Sequence, residues 1–252
     1  MIEVKNISKT FSDNPVLKNV SVTFEPGKVN FVIGRSGSGK SVMTKCIVGL
    51  MEVDTGEVIF GGRNFTKLDR WDRKAIRQEM GMLFQGSALF DSMTVEENVM
   101  FPLRMFSRLS VAEMKDRVNW CLHRVNLDGK NDLYPSEISG GMQKRTGIAR
   151  AIAMNPKYLF CDEPNSGLDP QTAIVIDTLI REITYEFGIT TVVISHDMNS
   201  VIEIGDSINF IYQGEMWWQG DKRDILHTTN VELNDFVFPS AFMKEIKESL
   251  RG

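Results

Sequence analysis

Eight consecutive residues, Gly34, Arg35, Ser36, Gly37, Ser38, Gly39, Lys40 and Ser41, constrain this chain more than any other stretch. The apolar run 29–33 leads into them, and a segment of helical character follows from Val42 to residue 50. Their spacing, G-x-x-x-x-G-K-S, is that of a phosphate-binding loop. Glycines let the backbone turn tightly enough to aim consecutive N–H groups inward, which makes an anion-binding concavity. A helix that starts there adds the positive end of its dipole and its unpaired N–H donors. In such a loop Lys40 reaches the terminal phosphates and the Ser41 hydroxyl ligates magnesium. A glycine-rich strand-to-helix turn with an incidental lysine is the plainer alternative, and it does not require the whole octet in this setting.

The chain of 252 residues can bury a substantial core, and its 42% hydrophobic and 25% charged content is that of an ordinary globular protein. A formal net charge of −4 leaves no basic footprint, so no nucleic-acid partner is expected. Cys46, Cys121 and Cys161 lie far apart and read as small buried side chains in a reducing compartment, not as a disulfide or zinc framework. The first residues lack the apolar core of a secretion signal, and no apolar run approaches the ~20 residues needed to span a bilayer. The expected location is the cytoplasm, with any membrane attachment supplied by a partner.

Ile2, Val4 and Ile7, then Val20, Val22 and Phe24, are spaced as in half-buried strands. Pro26 and Gly27 turn the chain into the strand before the phosphate loop, and a strand over 57–60 follows the loop helix. Strands of antiparallel character therefore flank the loop on both sides. Further strands are predicted over 80–84, 158–161 and 190–195, the last two continuous apolar runs of the kind covered on both faces. Helices are predicted over 111–125, 142–154 and 171–187, with Gly188 stopping the last, and a hairpin around Gln213 and Gly214. The stretch 89–106 is rich in Met and Phe, and about 90–138 reads as a mostly helical insertion.

Asp162 and Glu163 end the apolar strand over 158–161, where Asp162 can hold a magnesium shell and Glu163 can polarise an attacking water. A solvated acidic turn is the alternative. His196 ends the next apolar strand, at the edge where α/β sheets deliver side chains to a ligand, which favours a terminal-phosphate contact over an ordinary surface histidine. Gln85 also ends a strand, and its amide could ligate magnesium or orient water. Ser139, Gly140 and Gly141 open a second glycine-led helix without a lysine. Either Ser139 is a plain N-cap, or this helix caps a nucleotide held by a second copy of the chain.

Taken together, these motifs resemble the ATP-binding subunit of ABC transporters over residues 1–225. The resemblance identifies 34–41 as the Walker A loop, with Val42 beside it, and Gln85 as the Q-loop glutamine. Ser139, Gly140, Gly141 and Met142 match the signature, and Asp162 and Glu163 the Walker B end. Ser166, Gly167, Leu168 and Asp169 match the D-loop, His196 the switch histidine, and Phe11 the aromatic that stacks on adenine. The implied fold is α/β, a phosphate-loop (RecA-like) core with an N-terminal antiparallel β subdomain and an inserted helical subdomain. Residues 226–252 then form a C-terminal extension.

What the resemblance implies is a homodimer that closes around ATP and magnesium, with Ser41, Gln85 and Asp162 at the metal, Glu163 as general base and His196 at the γ-phosphate. The helical insertion would dock an integral membrane permease, placing the chain on the inner face of the cytoplasmic membrane. The signature departs from LSGGQ: Met142 stands where glutamine is usual, and Gln143 comes one residue late. One residue on a helix rotates a side chain by about 100°, so Gln143 cannot simply substitute. Met142, with stretches 83–95 and 98–104, resembles the Mla/Mce branch that moves phospholipids or other lipids across the Gram-negative envelope, which adds a lipid-binding Mce-type component to the expected partners. In that branch the extension can reach a neighbouring subunit, and the apolar residues 236–239, stranded in a polar tail, are candidates for this. The alternatives are a cassette for another substrate or for cell division, a soluble ABC ATPase, and a phosphate-loop phosphotransferase. The last two fit less well, because no coiled coil or zinc-binding cysteine pair is evident and the signature would have no use in a phosphotransferase.

Overall fold

Spaced apolar residues fold the first part of the chain into a hairpin that buries one face. Strands β1 (Ile2–Phe11) and β2 (Asn14–Phe24) pair antiparallel, with Ile2 opposite Phe24 and Val4 opposite Val22. Ser12 and Asp13 join them at φ 44° and 37°, the left-handed turn whose twist suits a hairpin. This computed structural model describes residues 1–239 together with Glu245 and Lys247. The chain forms two compact units, residues 1–69 with 194–252, and residues 70–193.

In the first unit, β3 (Val29–Ile33) is wholly buried and runs into α1 (Lys40–Ile47). Strands β4 (Thr55–Phe60) and β5 (Arg63–Asn64) extend the hairpin into an antiparallel sheet of order β2-β1-β4-β5. The same unit holds α7 (Met198–Ile204), β9 (Ser207–Tyr212), β10 (Glu215–Gly220), α8 (Lys222–His227) and α9 (Val231–Val237). Strand β9 lies parallel to β3 and antiparallel to β10. Gln213 and Gly214 turn the β9–β10 hairpin at φ 50° and 83°.

In the second unit, α2 (Arg70–Gln78) precedes β6 (Met80–Leu83), which pairs in parallel with β7 (Tyr158–Asp162), and β8 (Thr190–Ile194) follows β7 in strand order. Helices α3 (Val95–Phe106) and α4 (Val111–Arg124) each begin with a capping box, Thr94 with Glu97 and Ser110 with Glu113. Both pack on α5 (Gly140–Ile152), and Val99, Leu103, Val118, Leu122 and Ile148 are among their buried residues. Helix α6 (Pro170–Phe187) starts at the N-cap Asp169 and ends at Gly188 in the left-handed region, φ 59°.

Several sequence expectations need adjustment. Helix α5 starts at Gly140, not at 142, because Ser139 caps it by accepting from the Met142 N–H at 3.3 Å. Helices α2 and α7 escaped the reading, since α2 buries only Ile76 and α7 is seven residues long, about two turns. The apolar residues after Asp235 are not stranded. Phe236 packs its ring 5.5 Å from that of Phe210 on β9, and Val237 and Phe238 are buried in the chain's own first unit. The rest of the expected extension, apart from Glu245 and Lys247, lies outside the described residues. Cys46, Cys121 and Cys161 are buried free thiols, which burial pushes up to about 11, 11 and 12. Among the described residues, no helix is long and apolar enough to cross a membrane.

The loop before α3 is held by one buried amide. Asn98, with no exposed surface, accepts from the Phe90 N–H at 2.8 Å and donates to the carbonyls of Phe90, Met93 and Thr94 at 3.0–3.1 Å. Asn98→Ala takes this partner from the Phe90 N–H and the Met93 carbonyl, while the Phe90 and Thr94 carbonyls keep the Met93 and residue-98 backbone N–H groups, and it should cost about 2–4 kcal/mol in urea denaturation. A loss below about 0.5 kcal/mol, the range of a neutral surface change, would contradict this assignment.

Candidate nucleotide site

The phosphate loop lies wholly in the first unit. Gly34, Gly37 and Gly39 adopt φ 153°, 80° and 106°, a region that side chains rarely enter. Gly34 has a second reason to lack a Cβ, which would stand 2.4 Å from the carbonyl oxygen of Ile211. Lys40, 8% exposed, turns its ammonium back into the loop and donates to the carbonyls of Gly34 at 2.6 Å and Arg35 at 3.0 Å. Helix α1 follows the N-cap Gly39, which has no side chain to cap its first N–H groups. Arg35, Ser36 and Ser41 are exposed and Val42 is half-buried.

These residues fit a polyphosphate. Ser38 Oγ is buried without a hydrogen-bond partner, a donor-and-acceptor group left in the loop 2.7 Å from where a Cβ on Gly34 would stand. Bound anionic oxygens would satisfy it and the uncapped helix end together. Phe11, also in the first unit, keeps its ring 42% exposed with the Lys9 ammonium 5.7 Å from its centroid. His196 is exposed in the loop after β8, next to Ser195, whose N–H donates to the Val32 carbonyl of β3 at 3.3 Å.

The second unit carries the acidic and signature residues. Strand β7 delivers Asp162 at its end, and Glu163 follows in the left-handed region at φ 47°, which turns the chain sharply away from the strand. The Glu163 carbonyl accepts from the Ser166 N–H at 3.2 Å, and that of Asn165 from the Leu168 N–H at 3.2 Å. The Gln85 amide donates to Ser166 Oγ at 3.4 Å, so Gln85, Glu163 and Ser166 come together. Gly167 stands at φ 78°, and Asp169 caps α6 by accepting from the Thr172 N–H and hydroxyl, which hold its carboxyl below the usual range.

Ser139 and Gly140 open α5 at the surface, and Gly141 is buried because α6 passes close. A Cβ on Gly141 would stand 2.5 Å from Thr172 Cγ2, and one on Gly140 would touch the Leu168 side chain at 3.8 Å. Gln143 donates to the Pro135 carbonyl at 2.9 Å, so it faces the chain's own preceding turn and does not take the place that Met142 occupies. Of the proposed metal-side residues, Ser41 belongs to the first unit, and Gln85 and Asp162 to the second.

Sequence reasoning missed Lys144, Arg150 and the buried pair of Asn165 and Asp177, whose amide and carboxylate meet at 2.8 Å. A cation on an otherwise apolar helix face was the available signal for Lys144.

The profile of the ABC transporter family matches residues 17–166. A methionine import ATP-binding protein of Rhodopseudomonas palustris is 40% identical over 228 residues, covering 90% of this chain and 60% of that protein. One from Desulfitobacterium hafniense is 34% identical over 254 residues, covering 99% and 74%. The chain thus spans between three-fifths and three-quarters of these relatives' own lengths. Among solved structures, the ATP-binding cassette MJ0796, a dimer in a post-hydrolysis state bound to ADP and Pi, superposes with a TM-score of 0.81 at 33% identity, covering 88% of this chain and 99% of that one. The chain belongs to the ABC transporter family and is built as one of its ATPase cassettes.

Proposed function

We propose that this chain binds and hydrolyses ATP as the energy-supplying subunit of an ABC transporter, working as a homodimer with an integral membrane permease. The observation that carries this reading is the phosphate loop, which holds a buried lysine folded back on it, an orphaned serine hydroxyl and a helix start with no side-chain cap. In it, residues 34–42 hold the phosphates and Phe11 stacks on the base. Ser41, Gln85 and Asp162 would hold magnesium, which when bound neutralises phosphate charge. Glu163 takes the proton of the attacking water, and His196 orients the terminal phosphate. Ser139 to Met142, with the 166–169 loop, complete the site of the second copy. The dimeric state of the MJ0796 cassette supports the dimer.

Phe84, Phe90, Met105 and Phe106 are exposed on the second unit, apolar side chains of the kind that receive a permease helix, which supports a peripheral place on the inner membrane face. For the cargo, the named relatives favour a substrate other than lipid, and methionine is what their names state. The lipid reading, with its Mce-type component, rests on Met142 and the flanking stretches alone. Isolation of the chain with its permease, followed by uptake of labelled methionine and of labelled phospholipid into vesicles, decides between them. Methionine uptake upholds the reading, and phospholipid movement alone returns it to lipid.

Two substitutions test the chemistry. Lys40→Ala should weaken ATP binding at least about tenfold by fluorescence titration, since the loop loses its charge-assisted donor. Glu163→Gln should lower phosphate release by about a hundredfold or more while leaving ATP affinity near that of the parent chain. Turnover undiminished in the second variant would remove Glu163 as the base.

A further inference from the structure

We propose that α5 clamps the loop that carries Gln85, and that Lys144 is the positioning residue tying this loop to the backbone of Glu163. The inference rests on the hydrolytic reading of Gln85 and Glu163. Lys144 is 4% exposed, and its ammonium donates to the carbonyl of Gln85 and, at 3.3 Å, to that of Glu163. A buried ammonium retains its place only where acceptors replace water. Burial lowers its pKa, and the neighbouring Asp162 and Glu163 carboxylates act against that shift.

The contact belongs to a larger arrangement. Lys144, Gly147 and Arg150 recur every three residues, so they wind along α5 within about 120° of arc, with Gly147 between the two cations. Gly147 lets the helix approach, because a Cβ there would stand 2.7 Å from Leu83 Cδ1 and 3.6 Å from Ser87 Cβ. Arg150 donates to the carbonyls of Ser87 at 2.6 Å and Ala88 at 2.7 Å. Ser87, Ala88 and Glu163 all stand in the left-handed region, at φ 60°, 47° and 47°, which a Cβ disfavours. Such backbone persists only where its surroundings over-determine it, and the two cations of α5 supply that constraint.

Lys144 also closes a ring. Its ammonium joins the Gln85 and Glu163 carbonyls, the Glu163 carbonyl accepts from Ser166 N–H, and the Gln85 amide donates to Ser166 Oγ. Gln85 and Glu163 are thereby held in register by the helix that Ser139 opens. A lysine that merely stabilised the core would lower melting temperature without separating turnover from affinity.

The test uses the chain assembled with its permease. Lys144→Met should lower kcat at least about tenfold with KM for ATP within about twofold of the parent, and Lys144→Gln, which keeps an N–H donor, should recover part of the loss. The amide of Ser87, which donates to the Phe84 carbonyl at 2.8 Å, should exchange with deuterium at least about tenfold faster in Lys144→Met. Arg150→Gln probes the same clamp from its other end and should also speed that exchange, so it decides the matter where Lys144→Met does not fold. A folded Lys144→Met with kcat within about twofold of the parent, or with unchanged exchange at Ser87, overturns the proposal. Absence of ATP turnover in the parent chain would sink the hydrolytic reading instead, and the exchange at Ser87 would still decide the clamp.

Discussion

Backbone carbonyls at the strand ends and helix ends of this chain are held by half-buried and buried cations, and the site depends on those contacts. Lys40 holds Gly34 and Arg35, Lys144 holds Gln85 and Glu163, and Arg150 holds Ser87 and Ala88. Arg117 does the same for Ile152 and Ala153 at the end of α5, and Arg145 for Val125 and Asn126 after α4. Each cation loses hydration on burial, and burial lowers the pKa of Lys144, Arg145 and Arg150. The loss is tolerable because these loops present carbonyls with no ladder partner, and carbonyls need donors as much as the cations need acceptors.

Close backbone approach is the second constraint, and it falls on a few glycines. Gly34 gives room to the Ile211 carbonyl in the first unit, and Gly81 gives room to that of Ala151 in the second, where a Cβ would come within 2.3 Å. Gly141 lets α6 pass the start of α5. The same helix is thus pressed against β6 at one end and α6 at the other, which puts Lys144 within reach of two loops. Packing and chemistry share these positions.

The membership of the ABC transporter family accounts for why cargo is hard to read here. Residues around a nucleotide answer to phosphate, magnesium and water, and those demands are the same whatever is transported. Selectivity for cargo resides in surfaces that meet it, and the phosphate loop and the motifs proposed to complete it are built for a nucleotide, not for cargo. Met142 and its flanking stretches suggested lipid, whereas the relatives named above are methionine importers. The family-level assignment and the cargo therefore stand on different observations.

The sequence by itself determined the local elements and the order of the motifs. Apolar spacing of two, three and four residues, the glycine octet and caps such as Ser139 and Asp169 act between near neighbours, so their physics is legible along the chain. Tertiary structure alone decided which distant groups satisfy one another. Lys144 reaches a carbonyl 59 residues away, and Arg150 one 63 away, and neither partner is marked by residue type because any backbone carbonyl will serve. Phe236 and its neighbours looked stranded for the same reason, since the cover they find is Phe210 on β9. The left-handed turn at Glu163 likewise has no signature in a residue that seldom adopts it, and only the contacts around it hold it there.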